Sequence, residues 1–532
     1  MRKFNVTGLC VPEEDYMADV SGKIAQIKNL IDDRSYFTIN RARQYGKTTI
    51  LHMLKRVLVS EYQVASISFE GLGDESFETP EKFCYEFMRL IKASLQSSGA
   101  NDNNAGNWYD ENVTTFSLLS SHITTMCKEA KVVLLIDEVD KTSNNRVFLH
   151  FLSMLRSKFL ARKSGDDFTF HSVVLAGVYD IKNIKLKMIR EGAYSPNPIE
   201  GALYNSPWNI AVNFEIDLSF MPDEIASMLV EYEKDCGTGM DISEVSEEIY
   251  SFSGGYPFLV SRICQCIHDK LDADWTVRGV QSAVSTILLE KNVLFDDMAK
   301  NLENNGELYD FLYCLLIVGE RRSFVIDNPI INLGAMYGYI TSSRSDNSAG
   351  QSGYAVISNK VFELRMSNYF ISKDENTRHM DNIVFNGLHR EITANGRFDM
   401  ELCLRKFAEH YEEIFSDRDA SFHERHGRLL FLSYLKPLIN GHGFYHIESQ
   451  FTDTRRMDVV VDFGQQQFII ELKVWRGEQY QAEAYEQLCG YLKSRRAGEG
   501  YLLTFDFRKN RAGAADAGWK DIGWTRIFEV IV

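Results

Sequence analysis

Residues 35–49 read SYFTINRARQYGKTT. The first six (SYFTIN) are aromatic and β-prone, and the pattern ILHMLKRVLVSEY that follows the stretch has the apolar spacing of a helix. Strand, short loop and helix in that order place Gly46-Lys47-Thr48 where the helix begins. These three residues end the pattern G-x4-G-K-[ST], in which loop N–H groups and a helix N-terminus hold phosphate oxygens. Lys47 is expected to reach the β- and γ-phosphates and Thr48 to ligate Mg²⁺, with Gln44, Tyr45, Gly46 and Thr49 lining the loop. The first glycine position is occupied by Arg41. By itself the tripeptide reads equally well as a polar helix cap, so its surroundings carry the argument.

Outward from the loop, strand and helix patterns alternate. VASISF (64–69) alternates as a strand, 80–96 is helical, and SSGANDNNAGN (97–107) is a polar loop. A helix over about 114–129 precedes KVVLLI (131–136), a continuous apolar run suited to a strand buried on both faces. A helix over 147–160 and a strand at HSVVLAG (171–177) follow. This order predicts a doubly wound parallel sheet. KVVLLIDEVDK sets Asp137 and Glu138 at the tip of the apolar strand, the Walker B arrangement. Asp137 is then expected in the Mg²⁺ shell, and Glu138 as the group that polarises the attacking water.

INRARQYGKTT (39–49), LLIDEVDK (134–141), HSVVLAGVYDIKNI (171–184) and SGGYPFLV (253–260) together resemble a prokaryotic AAA-like P-loop ATPase family. The resemblance covers roughly residues 1–270 and implies ATP binding, with the GGYP segment in a lid near the nucleotide. Members of that family carry Arg at the first glycine position, which accounts for Arg41. One departure bears on turnover: the strand 171–177 ends in Ala176-Gly177, with no polar sensor at its tip, leaving Tyr179 or Asp180 as substitutes. Arg190 and Arg262 are the arginine-finger candidates.

The expected organisation is an ATPase core over 1–215, a helical lid over 216–295, a winged-helix-like region over 296–380 and a C-terminal domain over 381–532. In the third region, short helices, a Ser/Asn/Gly loop (342–353) and YAVISNKVFELRM suggest a β-wing, which in such units serves DNA or protein contacts alike.

The C-terminal domain reads helix (400–415), helix (421–439), strand (443–449), hairpin (456–474), helix (479–495), strand (500–506). Phosphodiester hydrolysis with a hard divalent cation needs carboxylate oxygens. In RRMDVVVDFGQQQFIIELKVW (455–475) a turn near 465 sets Asp458 opposite about 471–473, while Glu471 and Lys473, two apart on a strand, share a face. Burying Glu471 and Lys473 among Ile470, Leu472 and Val474 is costly without a purpose. E-x-K in a strand is nevertheless common on amphipathic edge hairpins. The order of Glu424 on the preceding helix, Asp458, Glu471-x-Lys473, then Gln487-x3-Tyr491 on the following helix resembles the PD-(D/E)XK nuclease superfamily, in particular its RecB-like branch. The resemblance implies Asp458 and Glu471 as metal ligands and Lys473 as the group that orients water or stabilises the pentavalent phosphate. It further implies Glu424 as an auxiliary ligand, with Gln487 and Tyr491 steadying the site and the DNA backbone. Mg²⁺ is the implied metal, with Mn²⁺ as an alternative. His423 and His426 both flank Glu424 and fit the branch's helix histidine equally; Arg455 and Arg456 fit phosphate contacts or a solvated strand end.

Totals frame these readings. The net charge is −16, yet residues 420–532 carry about +1, so a nucleic-acid contact fits best at the C-terminal end. No run of about 18 apolar residues exists, so no membrane partner is expected. The opening MRKFNVTGLCVPEEDY lacks an apolar core, and nine scattered Cys make a poor disulfide framework, so a cytoplasmic protein is expected. The resemblances point to an ATPase and Mg²⁺-dependent deoxyribonuclease with nucleotide state controlling cleavage, as an analogy a defence against foreign DNA. The alternatives are an ATP-dependent regulator or sensor whose nuclease fold binds nucleic acid without cutting, and a signalling ATPase. The ATPase resemblance alone also allows a homo-oligomer.

Overall fold

The computed structural model describes residues 2–97, 109–139, 146–177, 208–318, 320–343, 353–377, 392–393, 397–414, 424–439, 443–446, 459–464, 466–475, 477–495, 497–506 and 517–532. The chain divides into two compact units. One comprises residues 1–250, 254–265 and 335–338; the other comprises 251–253, 266–334 and 339–532.

The first unit is built on four parallel strands, β1 (Tyr36–Asn40), β2 (Gln63–Ser68), β3 (Val132–Asp137) and β4 (Ser172–Gly177), in the order β1-β4-β3-β2. Every residue of β3 and β4 is buried, which is why these strands read as continuous apolar runs rather than alternating ones. A parallel bridge, Phe37↔Val212, continues the sheet on the free side of β1, where Val212 N donates to Tyr36 O at 2.8 Å. Helices α3 (Pro80–Ser97), α4 (Phe116–Glu129) and α5 (Arg146–Ser164) close one aromatic core with the sheet. There Phe83, Phe87 and Phe151 have ring centroids 4.8–5.9 Å apart and Trp208 is buried against Tyr36. Helices α1 (Ser21–Asp32) and α2 (Lys47–Leu58) also pack on the sheet, burying Ile27, Ile31, Leu51 and Leu54.

Helix α6 (Pro222–Cys236) starts with Pro222 and with the Glu224 carboxylate accepting from Met221 N at 2.7 Å, and it stops at Gly237, φ +60°. Helix α7 (Ile242–Ser253) is capped by Asp241 and ended by Gly254, φ +56°. Helix α8 (Pro257–Lys270) starts three residues after Gly254. The Gly254-Gly255 pair is thus a helix stop between two of the helices in the region 216–295. Within the first unit Phe220 N donates to Gly255 O at 2.7 Å.

The second unit contains α9 (Val277–Leu289), α10 (Val293–Asn304), α11 (Gly306–Tyr313), a π-turn (Cys314–Val318) and all but the last two residues of α12 (Pro329–Met336). The antiparallel pair β5 (Ile340–Ser342) and β6 (Ala355–Ile357) and helix α13 (Lys360–Thr377) follow. Beyond them lies a six-stranded sheet. Its strands are β7 (Gly443–His446), β8 (Val459–Phe463), β9 (Gln466–Val474), β10 (Glu499–Phe505), β11 (Ala517–Ile522) and β12 (Thr525–Ile531), in the order β11-β12-β10-β9-β8-β7. β7, β8 and β9 form an antiparallel meander; β9, β10 and β12 run parallel. Helices α14 (Met400–Ile414) and α15 (Glu424–Ile439) precede the meander, and α16 (Glu478–Arg495) makes the crossover from β9 to β10. The β11–β12 hairpin, turned by Gly523 at φ +65°, was not expected from the sequence and adds the two strands of the far edge.

No helix among the described residues is long and apolar enough to cross a membrane. Asp458, Arg455, Arg456, Tyr179, Asp180, Arg190 and His423 lie outside the described residues, as do the side chains of Glu424 and His426.

Candidate functional site

Two clusters of polar side chains stand out, one in each unit. The first lies at the C-terminal ends of β1 and β3. Gly46, φ +74°, is the N-cap of α2, which gives the loop the left-handed turn that glycine adopts without penalty. Lys47 is 7% exposed, and its ammonium donates to the carbonyls of Arg41 and Ala42, each at 2.9 Å. Thr48 Oγ1 donates to Asp137 Oδ2 at 2.7 Å, bringing the loop and the tip of β3 together. The other oxygen, Asp137 Oδ1, accepts from Glu138 N at 2.9 Å. Glu138 has φ +55°, a conformation that L residues adopt only when their surroundings enforce it. The pair Thr48 and Asp137 offers two hard oxygens, the donor type Mg²⁺ requires. The side-chain oxygens Asn40 Oδ1 and Gln44 Oε1 are buried here without a hydrogen-bond partner among the described residues, so the site is polar and suited to a polar ligand.

The side chain of Arg41 does not turn into this loop. Its guanidinium donates to Asn40 O (2.9 Å) and Ile216 O (2.7 Å) and lies 5.6 Å from the Phe214 ring centroid, while its backbone N bonds Gly177 O. Arg at this position therefore ties the loop to the segment that leads to α6. Thr49 Oγ1 accepts from Cys10 N at 3.3 Å, and burial pushes the Cys10 thiol up. Tyr45 bonds Ser219 at 2.6 Å, and burial raises its phenol as well. Arg262 bonds Gln265 of its own helix at 2.6 Å.

Residues 16–277, just under half of the chain, match the family described as the AAA-like domain. No curated protein matches the chain. Among solved structures, the chain is similar to a Walker-type ATPase of Pyrococcus abyssi, with 13% identity, 68% of this chain and 99% of that chain covered, and a TM-score of 0.47. It is also similar to the ORC2 protein of Aeropyrum pernix in its ADPNP–ADP complexes, with 11% identity, coverage of 70% and 98%, and a TM-score of 0.35. The match over residues 16–277, the parallel sheet and the loop at its edge support a P-loop ATPase in the first half of the chain.

The second cluster lies on the face of the six-stranded sheet that α16 covers. β8 and β9 pair with Val459 opposite Ile470 and Phe463 opposite Gln466. Glu471 is buried at 1% side-chain exposure, and Lys473 at 13% places its ammonium 2.8 Å from Glu471 Oε1. They share a face, as the two-residue period requires. Gln487 is half-buried on α16, and Tyr491 sits in the apolar cluster with Val460, Ile469 and Leu488.

Sequence reasoning missed the polar network beside this pair. Glu529, 3% exposed, stands abreast of Leu502, which stands abreast of Glu471. Gln481 donates to Glu529 Oε1 and, at 3.2 Å, to Thr504 Oγ1, and Thr504 is the β10 partner of Lys473. Tyr485 OH donates to Glu529 Oε2 at 2.8 Å, and Lys520 pairs with the same oxygen. A signal was present: Gln481-x3-Tyr485 repeats, earlier in the same helix, the spacing of Gln487-x3-Tyr491. Among the described residues no group of three or more His, Cys, Asp or Glu is arranged to hold a metal ion.

Proposed function

We propose that this chain is an ATP-binding and ATP-hydrolysing protein whose C-terminal domain is a metal-dependent DNA nuclease, with the nucleotide state controlling cleavage. The observation that carries the first half is the convergence of Lys47, Thr48 and Asp137 at one edge of a parallel sheet. Arg41 O and Ala42 O, which hold Lys47 in this structure, are neutral acceptors, so an anionic phosphate oxygen competes favourably for the ammonium. Thr48 and Asp137 would hold Mg²⁺, which neutralises phosphate charge when bound. Glu138, one residue beyond Asp137, would orient the attacking water.

The second half rests on Glu471 and Lys473. A carboxylate and an ammonium this deep under a helix are expensive to keep unless chemistry uses them. Glu471, with Asp458 and Glu424, would hold Mg²⁺ or Mn²⁺, and Lys473 would stabilise the charge that develops on the scissile phosphate. An α-β-β-β-α-β order around the meander β7–β9 is consistent with the resemblance drawn from the sequence.

The test is incubation of the full-length protein with supercoiled, linear and single-stranded DNA plus Mg²⁺ or Mn²⁺, with and without ATP. Cleavage lost in Glu471→Ala and Lys473→Ala, and responsive to ATP only with Lys47 intact, is the expected result. DNA retained but uncut in every condition would favour a regulator whose C-terminal domain binds nucleic acid without hydrolysing it.

A further inference from the structure

The loop from Arg41 to Lys47 has to hold an unusual backbone with few glycines. Gly46 is its one glycine, yet Gln44 also lies in the left-handed region, at φ +57°. Such turns aim backbone N–H groups at an anion, and a side-chain-bearing residue stays in them only if its surroundings over-determine it. Those surroundings come from residues far away in sequence. Tyr256 OH donates to Arg43 O, the carbonyl of the peptide that enters Gln44. The Tyr45 ring, on the other side of Gln44, meets the Tyr256 ring edge-on at 4.6 Å. Ser219 Oγ donates to Asp217 Oδ1 at 2.8 Å and therefore accepts from Tyr45 OH at 2.6 Å. Ser219 is fixed in turn by its own N on Asp217 Oδ1 (2.9 Å) and by Lys23 on its carbonyl (2.6 Å).

Tyr256 is located with equal care. Gly255, φ +72°, lies so close to Phe220 that a Cβ would stand 2.0 Å from the Phe220 carbonyl oxygen. A Cβ on Gly338 would lie 3.1 Å from the Ala42 Cβ and 3.5 Å from the Tyr256 ring, so backbone closes in on the tyrosine from that side as well.

We propose that Tyr256, together with the Tyr45–Ser219 pair, is a positioning device for the phosphate-binding loop, holding by tertiary contacts the backbone that glycines would otherwise allow. The inference rests on the nucleotide-binding reading and deepens it: these residues act on the phosphates, not on the base. Nucleotide affinity is therefore set partly by hydroxyl groups that touch no ligand atom.

The test uses full-length protein and two probes: N-methylanthraniloyl-ATP, followed by fluorescence, and inorganic tripolyphosphate, which displaces it. Tyr256→Phe is expected to weaken both probes by the same factor, about five- to tenfold, the worth of one hydrogen bond. Tyr45→Phe and Ser219→Ala each weaken both probes by about three- to fivefold, and the double variant is no weaker than the worse single one, because the two remove one shared bond. Affinities all within about twofold of the unsubstituted protein overturn the proposal. Weakened ATP with unchanged tripolyphosphate also overturns it, since the tyrosine would then serve the base. Failure of the underlying reading looks different: the unsubstituted protein and Lys47→Ala would bind the fluorescent nucleotide equally poorly, and the proposal would fall with it.

Discussion

Lys47 and Lys473 are both withdrawn from water, and the described residues beside their ammonium groups differ in kind. Lys47 is held by two carbonyls of its own loop, dipoles that water or a phosphate oxygen can replace. Lys473 is held by a full charge, the carboxylate of Glu471, under a helix. A lysine held by dipoles at an edge is poised to exchange partners. A lysine beside a buried carboxylate is held more firmly, and removing either member takes a close opposite charge away from the other. The first arrangement suits a site that binds and releases; the second suits a preorganised centre.

That contrast can be broken most decisively at Glu471. Glu471→Ala is expected to destabilise the second unit by about 3–5 kcal/mol, measured as a shift of its urea transition. A shift below about 1 kcal/mol would mean the pair is solvated and the contrast false. Lys47→Ala is the counterpart. It should change the stability of the first unit by no more than about 1 kcal/mol, since the freed carbonyls can rehydrate. It should nonetheless weaken ATP at least about a hundredfold, equivalent to about 3 kcal/mol. Loss of folding without a selective loss of affinity would sink this expectation.

Acid should reveal a further difference. The first unit buries His171 against Tyr62, and burial, then the charges of Arg34, Lys131 and Arg162, push its imidazole down to about 4. The folded state therefore binds this proton more weakly than the unfolded state, whose ordinary value is near 6.5. The resulting stability is complete above about pH 6.5 and is lost as pH falls towards 4, about 3 kcal/mol in all and about 2 kcal/mol of it by pH 5. Melting of the first unit at pH 7 and pH 5 should show the loss, and His171→Leu should flatten it; an unchanged slope in that variant would place the proton elsewhere.

The smallest expected effect is at the Glu529 network. Tyr485→Phe removes one of three donors to that carboxylate, with Gln481 and Lys520 retained, so a loss of about 1 kcal/mol is expected in the second unit's urea midpoint. A loss as large as that of Glu471→Ala would show that Glu529, not Glu471, is the costlier charge to hold.

Much of this molecule was legible in its sequence. Apolar runs such as VVLLID announced strands buried on both faces, and strand–helix alternation announced the parallel sheet. Gly46-Lys47-Thr48 and Asp137 were legible as a pair because the motif and the strand tip are each local, and the sheet then joins them through Thr48 and Asp137. The same holds for the β8–β9 hairpin, whose register follows from its turn, and for the shared face of Glu471 and Lys473, which follows from the period of a strand. What the tertiary structure alone decided is which distant residues meet. Arg41 reaches Ile216, Tyr45 reaches Ser219, Tyr256 reaches the Arg43 carbonyl, and Gln481 reaches Glu529. Local propensity sets the direction of a strand or helix, but these pairings depend on how whole elements stack and on which rotamer each side chain takes there. No spacing along the chain encodes that.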